Sequence, residues 1–119
     1  MSRDPASLLR RYHAALQPYA ADEVAEMFAE GAVYVSPGVN GRLEGRAAIL
    51  RAFNAYFAEH PDQQAVDDTV EVLGEHSVRA QWRLTATSAA TGRAVERRGI
   101  ETVTFDEAGR IVKVEVEDL

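Results

Sequence analysis

A carboxyl group held against an apolar strand face can do chemistry that a hydrated one cannot, and Glu101 has the surroundings for it. It sits in a run, 95–105, in which Glu101, Gly99 and Val103 share one face and Ile100, Thr102 and Thr104 the other. With that first face inward, desolvation would raise the Glu101 pKa; buried glutamates reach about 8–9. A carboxyl kept neutral in this way can donate a hydrogen bond to a ligand oxygen that gathers negative charge. The competing placement is the inverted register, with Glu101 outside and paired with Arg83.

Two hydroxyls are further candidates. Tyr12 lies on a helical stripe with Leu8, Leu9, Ala15, Leu16 and Tyr19. Its phenol could donate to a ligand, or it could be a core tyrosine whose hydroxyl reaches the surface or a backbone carbonyl. Ser36 precedes Pro37 and could bond a ligand or cap that turn. The histidines carry less. His13 follows Tyr12, about 100° round the helix, which puts it at the edge of the buried face. His60 is at a helix end and His76 in a turn. No pair has metal-ligand spacing and no acidic cluster surrounds one, so neither a metal site nor a histidine catalyst is expected. There is no cysteine, hence no thiolate nucleophile and no disulfide.

The elements that position these groups follow from periodicity. The 119 residues suit one domain, 1–119, with helices first and strands after, the α+β order. Asp4-Pro5 opens a helix that Pro18 limits. Asp22 starts a short helix carrying Val24, Met27 and Phe28, with Gly31 as its stop. A strand covers 32–36, and an irregular loop runs from Gly38 through Asn40-Gly41 to Gly45. A third helix from Arg46 carries Ile49, Leu50, Phe53, Tyr56 and Phe57 and ends at His60-Pro61. The period then changes to two: strands are expected over 66–73, 78–87, 95–105 and from Ile111 onward, with turns at 74–77, 90–92 and 106–109. One apolar stripe per helix and one apolar sheet face predict a cone-shaped, strongly curved antiparallel sheet wrapped around the three helices, with a ligand site in the open mouth.

Lys plus Arg is 13 and Asp plus Glu is 19, a net charge of −6. Such a surface repels phosphates, so nucleic acid is an unsuitable partner. No apolar stretch approaches a membrane span, and no signal peptide is visible behind Met1-Ser2-Arg3, so the expected location is cytoplasmic.

The chain resembles the nuclear transport factor 2-like superfamily, the SnoaL-like and ketosteroid isomerase-like domains. The likeness is carried by Leu9-Arg10-Arg11-Tyr12, Met27-Phe28-Ala29-Glu30-Gly31-Ala32, Gly45-Arg46-Ala47-Ala48-Ile49 and Phe105-Asp106-Glu107-Ala108-Gly109-Arg110-Ile111. It implies a cystatin-like α+β barrel and, by comparison with ketosteroid isomerase, three site positions. The oxyanion-hole tyrosine falls on Tyr12 and the protonated acid on Glu101. The aspartate base falls on Ser36, so the expected proton acceptor is missing; a positioned base contributes about 10²–10⁴-fold. The pocket walls would be Leu16, Met27, Tyr34, Phe53, Tyr56, Phe57, Trp82, Val103 and Val116. The resemblance implies a small hydrophobic ligand, no cofactor, and a homodimer through the outer sheet face with Arg79, Gln81, Arg83, Thr85 and Thr87. The activity would be a cofactor-free isomerase, cyclase or lyase acting on a hydrophobic carbonyl compound. A non-catalytic ligand-binding or dimeric interaction module is the rival. Epoxide hydrolysis would need an Asp-Arg-Asp set; Arg97 and Arg83 are loose candidates, and no inward aspartate pair is visible.

Overall fold

The computed structural model describes residues 4–37 and 41–119. The chain start at Met1-Ser2-Arg3 and the loop around Gly38 and Asn40 lie outside the described residues. The elements run α1 (Pro5–Leu16), α2 (Ala21–Met27), β1 (Phe28–Ser36), β2 (Gly41–Glu44), α3 (Arg46–Glu59), β3 (Gln64–Val72), β4 (Ser77–Thr87), β5 (Ala94–Phe105) and β6 (Ile111–Asp118). The six strands form one curved, unclosed sheet in the order β2-β1-β6-β5-β4-β3.

Helix α1 starts as its sequence dictates. The Asp4 carboxylate accepts the Ser7 backbone N–H at 3.2 Å, and Pro5 takes the first helical position. Helix α2 is shorter than expected. Phe28 is already extended at φ −95°, ψ 136°, so it belongs to β1, and Gly31 lies within that strand instead of ending a helix. The segment from Gly41 is also not irregular: it pairs antiparallel with β1 from Ser36↔Gly41 to Val33↔Glu44.

The α+β cone holds, with one departure from a purely antiparallel sheet. Strand β1 pairs parallel with β6, from Phe28↔Ile111 to Val35↔Glu115, so the sheet is mixed. The other neighbours are antiparallel. The core lies between the helices and the inner sheet face. Leu9, Tyr12, Val24, Phe28, Ile49 and Phe53 meet Val78, Ala80, Val103, Phe105, Ile111 and Val114, all buried. On β5 the inward set is Gly99, Glu101, Val103 and Phe105, as the alternation predicts. Tyr56 and Phe57 of α3 remain only half-buried: they pack on neighbouring rings and also line a cavity.

A cavity with a histidine between two carboxylates

The cavity lies between α1, α3 and the inner faces of β1 and β3 to β6, and offers about 140 Å³ to water-sized occupants. Its walls are mostly apolar: Leu16, Phe53, Phe57, Trp82, Leu84 and Val116, with Tyr34 and Tyr56. Into this lining project Glu101, His13, Asp67, Ser36 and Arg97.

His13 joins three elements. Its Nδ1 lies 2.8 and 2.9 Å from the two carboxylate oxygens of Asp67 on β3. Its Nε2 lies 2.5 Å from Oε1 of Glu101 on β5. Burial alone would lower the pKa of the ring. The Glu101 charge, the hydrogen bonds to both carboxylates and the Asp67 charge outweigh it and push His13 up to about 10. The ring is therefore an imidazolium at neutral pH, donating from both nitrogens. The two acceptors hold opposite edges of the ring and do not converge on a common point. Among the described residues there is no cluster of His, Asp and Glu suited to a metal ion.

Glu101 is 6% exposed and faces the hollow, not water. It does so against the His13 ring and not as a lone carboxyl in an apolar cone. Oε1 takes the imidazolium, and Oε2 is hydrogen-bonded to no described residue. Arg83, the partner considered for an outward Glu101, instead pairs with Asp68 at 2.8 Å on the outer face. Ser36 is buried on the cavity wall.

Tyr12 is elsewhere. Its ring packs edge-on against Phe28 in the core, and it borders a second hollow with Met27, not the main cavity. Its hydroxyl is buried and has no hydrogen-bond partner among the described residues. Burial, then the Glu101 charge, keeps this phenol well above its ordinary pKa. Of the expected walls, Leu16, Tyr34, Phe53, Tyr56, Phe57, Trp82 and Val116 line the cavity; Met27 and Val103 do not, Val103 being fully buried core. Tyr34 is likewise held protonated, chiefly by burial. His13, expected at the edge of the buried face, stands between two carboxylates on the cavity wall, and one aspartate, Asp67, faces it there.

Arg97 occupies the other end of the cavity. One amino group bonds Asp118 at 2.8 Å, the other reaches the Tyr56 hydroxyl at 3.5 Å, and the guanidinium sits 5.4 Å from the Trp82 ring centre.

The family model described as a SnoaL-like domain matches residues 9–114. The chain belongs to the SnoaL-like family. No curated protein sequence matches it. Among solved structures it resembles Bal32a, from a soil-derived mobile gene cassette, with 25% identity, TM-score 0.85, and coverage of 96% of this chain and 88% of that one. It also resembles SalBIII, described as an epoxide hydrolase/cyclase-like enzyme of pyran ring formation in salinomycin: 20% identity, TM-score 0.84, coverage 95% and 88%. A third is a Mycobacterium tuberculosis protein solved with estradiol-17β-hemisuccinate: 16% identity, TM-score 0.83, coverage 95% and 92%. The last two likenesses establish the shared fold. No described helix is long and apolar enough to cross a membrane.

Proposed function

We propose that this SnoaL-like cavity binds a small hydrophobic compound bearing a carbonyl or related oxygen and moves a proton on it. The observation that carries the reading is the imidazolium of His13 clamped between Asp67 and Glu101 on the wall of an apolar hollow. Glu101 is the proton acceptor. Its Oε2 takes a proton from the carbon next to the ligand carbonyl, leaving an enolate, and returns it to another carbon of the same molecule. Both His13 N–H bonds go to carboxylates, so the ring orients Glu101 and balances its charge but is not itself the base. Tyr34, protonated and on the cavity wall, is placed to donate to the enolate oxygen. Ser36 adds a second hydroxyl where a base was expected. Tyr12 is given no ligand contact. The reading needs no cofactor, and it suits an isomerase, cyclase or lyase equally. The similar structures support it through what they bind or are described as doing: an estradiol hemisuccinate in one and cyclase-like chemistry in another.

The test is deuterium uptake from heavy water into a panel of small β,γ-unsaturated ketones and β-ketoesters, followed by NMR. Uptake should be catalysed by the parent and fall about 10²-fold or more in Glu101→Gln. Equal rates in the two proteins would overturn the role of Glu101. A second reading, ligand binding without chemistry, is favoured by one feature: the carboxylates already consume both imidazolium donors, so the ring has no N–H left for a ligand oxygen. Saturable thermal stabilisation without uptake would select it. We further propose a homodimer through the outer face of β3, β4 and β5.

A further inference from the structure

The inner face of β5 has an acidic and a basic end. Glu101, Gly99 and Arg97 follow one another on that face, opposite Ala80, Trp82 and Leu84 of β4. Four strand steps, roughly 13 Å along the backbone, separate Glu101 from Arg97, and the guanidinium sits 5.4 Å from the Trp82 ring centre. Between them lies the indole. A Cβ added at Gly99 would stand 2.6 Å from Cζ2 of Trp82, so the missing side chain is what lets the indole lie across β5 and pave the floor. The cavity is thus an apolar slot with a carboxylate at one end and a guanidinium at the other.

That guanidinium is only partly used. Its side chain is 24% exposed, and among the described residues its one short contact is to Asp118, itself 42% exposed at the C-terminal end of β6. Asp118 opposes Gly99 across the sheet and bonds Arg97 from outside the cavity lining. A planar fork of donors, stacked on an indole and lining a hollow, suits a carboxylate on an otherwise apolar molecule.

We propose that Arg97 makes this cavity selective for hydrophobic compounds that carry a carboxylate, spaced about one indole width from the group that meets Glu101. The inference depends on the cavity being a ligand site, as above, but not on Glu101 performing proton transfer. Arg97 here is a specificity residue, and Asp118 its exchangeable counter-ion.

Trp82 is the sole tryptophan of the chain and lines the slot, so its fluorescence reports occupancy directly. The probes are phenylalkanoates from phenylacetate to 6-phenylhexanoate, each beside its methyl ester, with thermal shift as a second readout. The acids should bind about tenfold tighter than their esters, with an optimum at intermediate length. Arg97→Gln should bring each pair within about twofold, the loss falling mainly on the acids. Arg97→Lys should keep part of the preference, because charge survives and the fork does not. Asp118→Asn should widen the preference, since the internal competitor is gone. Esters bound as tightly as acids by the parent, or an acid preference that survives Arg97→Gln, would overturn the inference and leave the ligand site standing. Binding of neither acids nor esters would overturn both.

Discussion

Removing the His13 ring would leave Asp67 and Glu101 looking into one hollow with no cation between them. Breaking a buried ion pair in this way costs about 3 kcal/mol, so His13→Gln should lower stability by roughly that much near pH 6.5. The pH dependence has a definite sign. The folded pKa of about 10 stands above the unfolded histidine value of about 6.5. The contribution is therefore complete below pH 6.5 and is lost as pH rises toward 10. Urea unfolding at pH 6.5, 8 and 9.5 should show the parent losing stability, on the order of a few kcal/mol, with His13→Gln nearly flat. Tyr12 and Tyr34, raised by burial, add their own loss only above pH 10, outside this window. A parent as flat as the variant would mean that the ring is neutral when folded. None of this can be read from local spacing. The two partners of His13 are 54 and 88 residues away, so a helix-edge histidine is all that the sequence around it displays.

Elements explain which parts of the site were legible. Strand β5 alternates without interruption, so Glu101 could be placed inward from parity alone. Strand β3 could not be treated that way. Val66, Val70 and Val72 share a parity that puts Asp67 outside, but the register steps from Asp67↔Trp82 to Thr69↔Gln81, leaving Asp68 as an extra residue. The bulge reverses the faces: Asp67 turns in to His13, Asp68 turns out to Arg83, and Val66 is left 54% exposed. The Phe28 boundary escaped for a related reason: an apolar residue four places after Val24 suits a helix and a strand start equally. Tyr12 was read correctly as buried, but a helical stripe cannot say whether a buried phenol meets a cavity or a core. The close contact at Gly99 gives the element-level prediction. In Gly99→Ala the new methyl would stand 2.5 Å from the Glu117 carbonyl oxygen as well as against Trp82. The sheet must spread or the indole must leave the cavity floor, at a cost of about 1–3 kcal/mol. A lowered melting temperature with a shifted Trp82 emission is expected; an unchanged spectrum would show that the indole does not lie across β5.

The whole molecule buries one face of its sheet and leaves the other to solvent. Cross-strand register puts Arg83 beside Val66, and Gln81 beside Thr69 and Ile100, on that outer face. It is a broad surface, hydrogen-bonding at its margins, with the half-buried Ile100 near its middle and the exposed Val66 beside it. A second copy related by a twofold axis would bring the same residues together and cover both apolar side chains. The slot opens on the inner face, so pairing through the outer one leaves ligand access untouched. Sedimentation equilibrium should return twice the chain mass of 13.1 kDa at micromolar concentration. Ile100→Asp places a charge where two copies would exclude water, a cost of several kcal/mol at an interface but little on a solvated sheet. That variant should sediment as a folded monomer and bind the phenylalkyl esters as the parent does. A monomeric parent, or a dimer indifferent to Ile100→Asp, would place the assembly surface elsewhere. Loss of ester binding together with dimerisation would instead tie the shape of the slot to the pairing of the sheets, because the inward Glu101 and the outward Ile100 are neighbours on one strand.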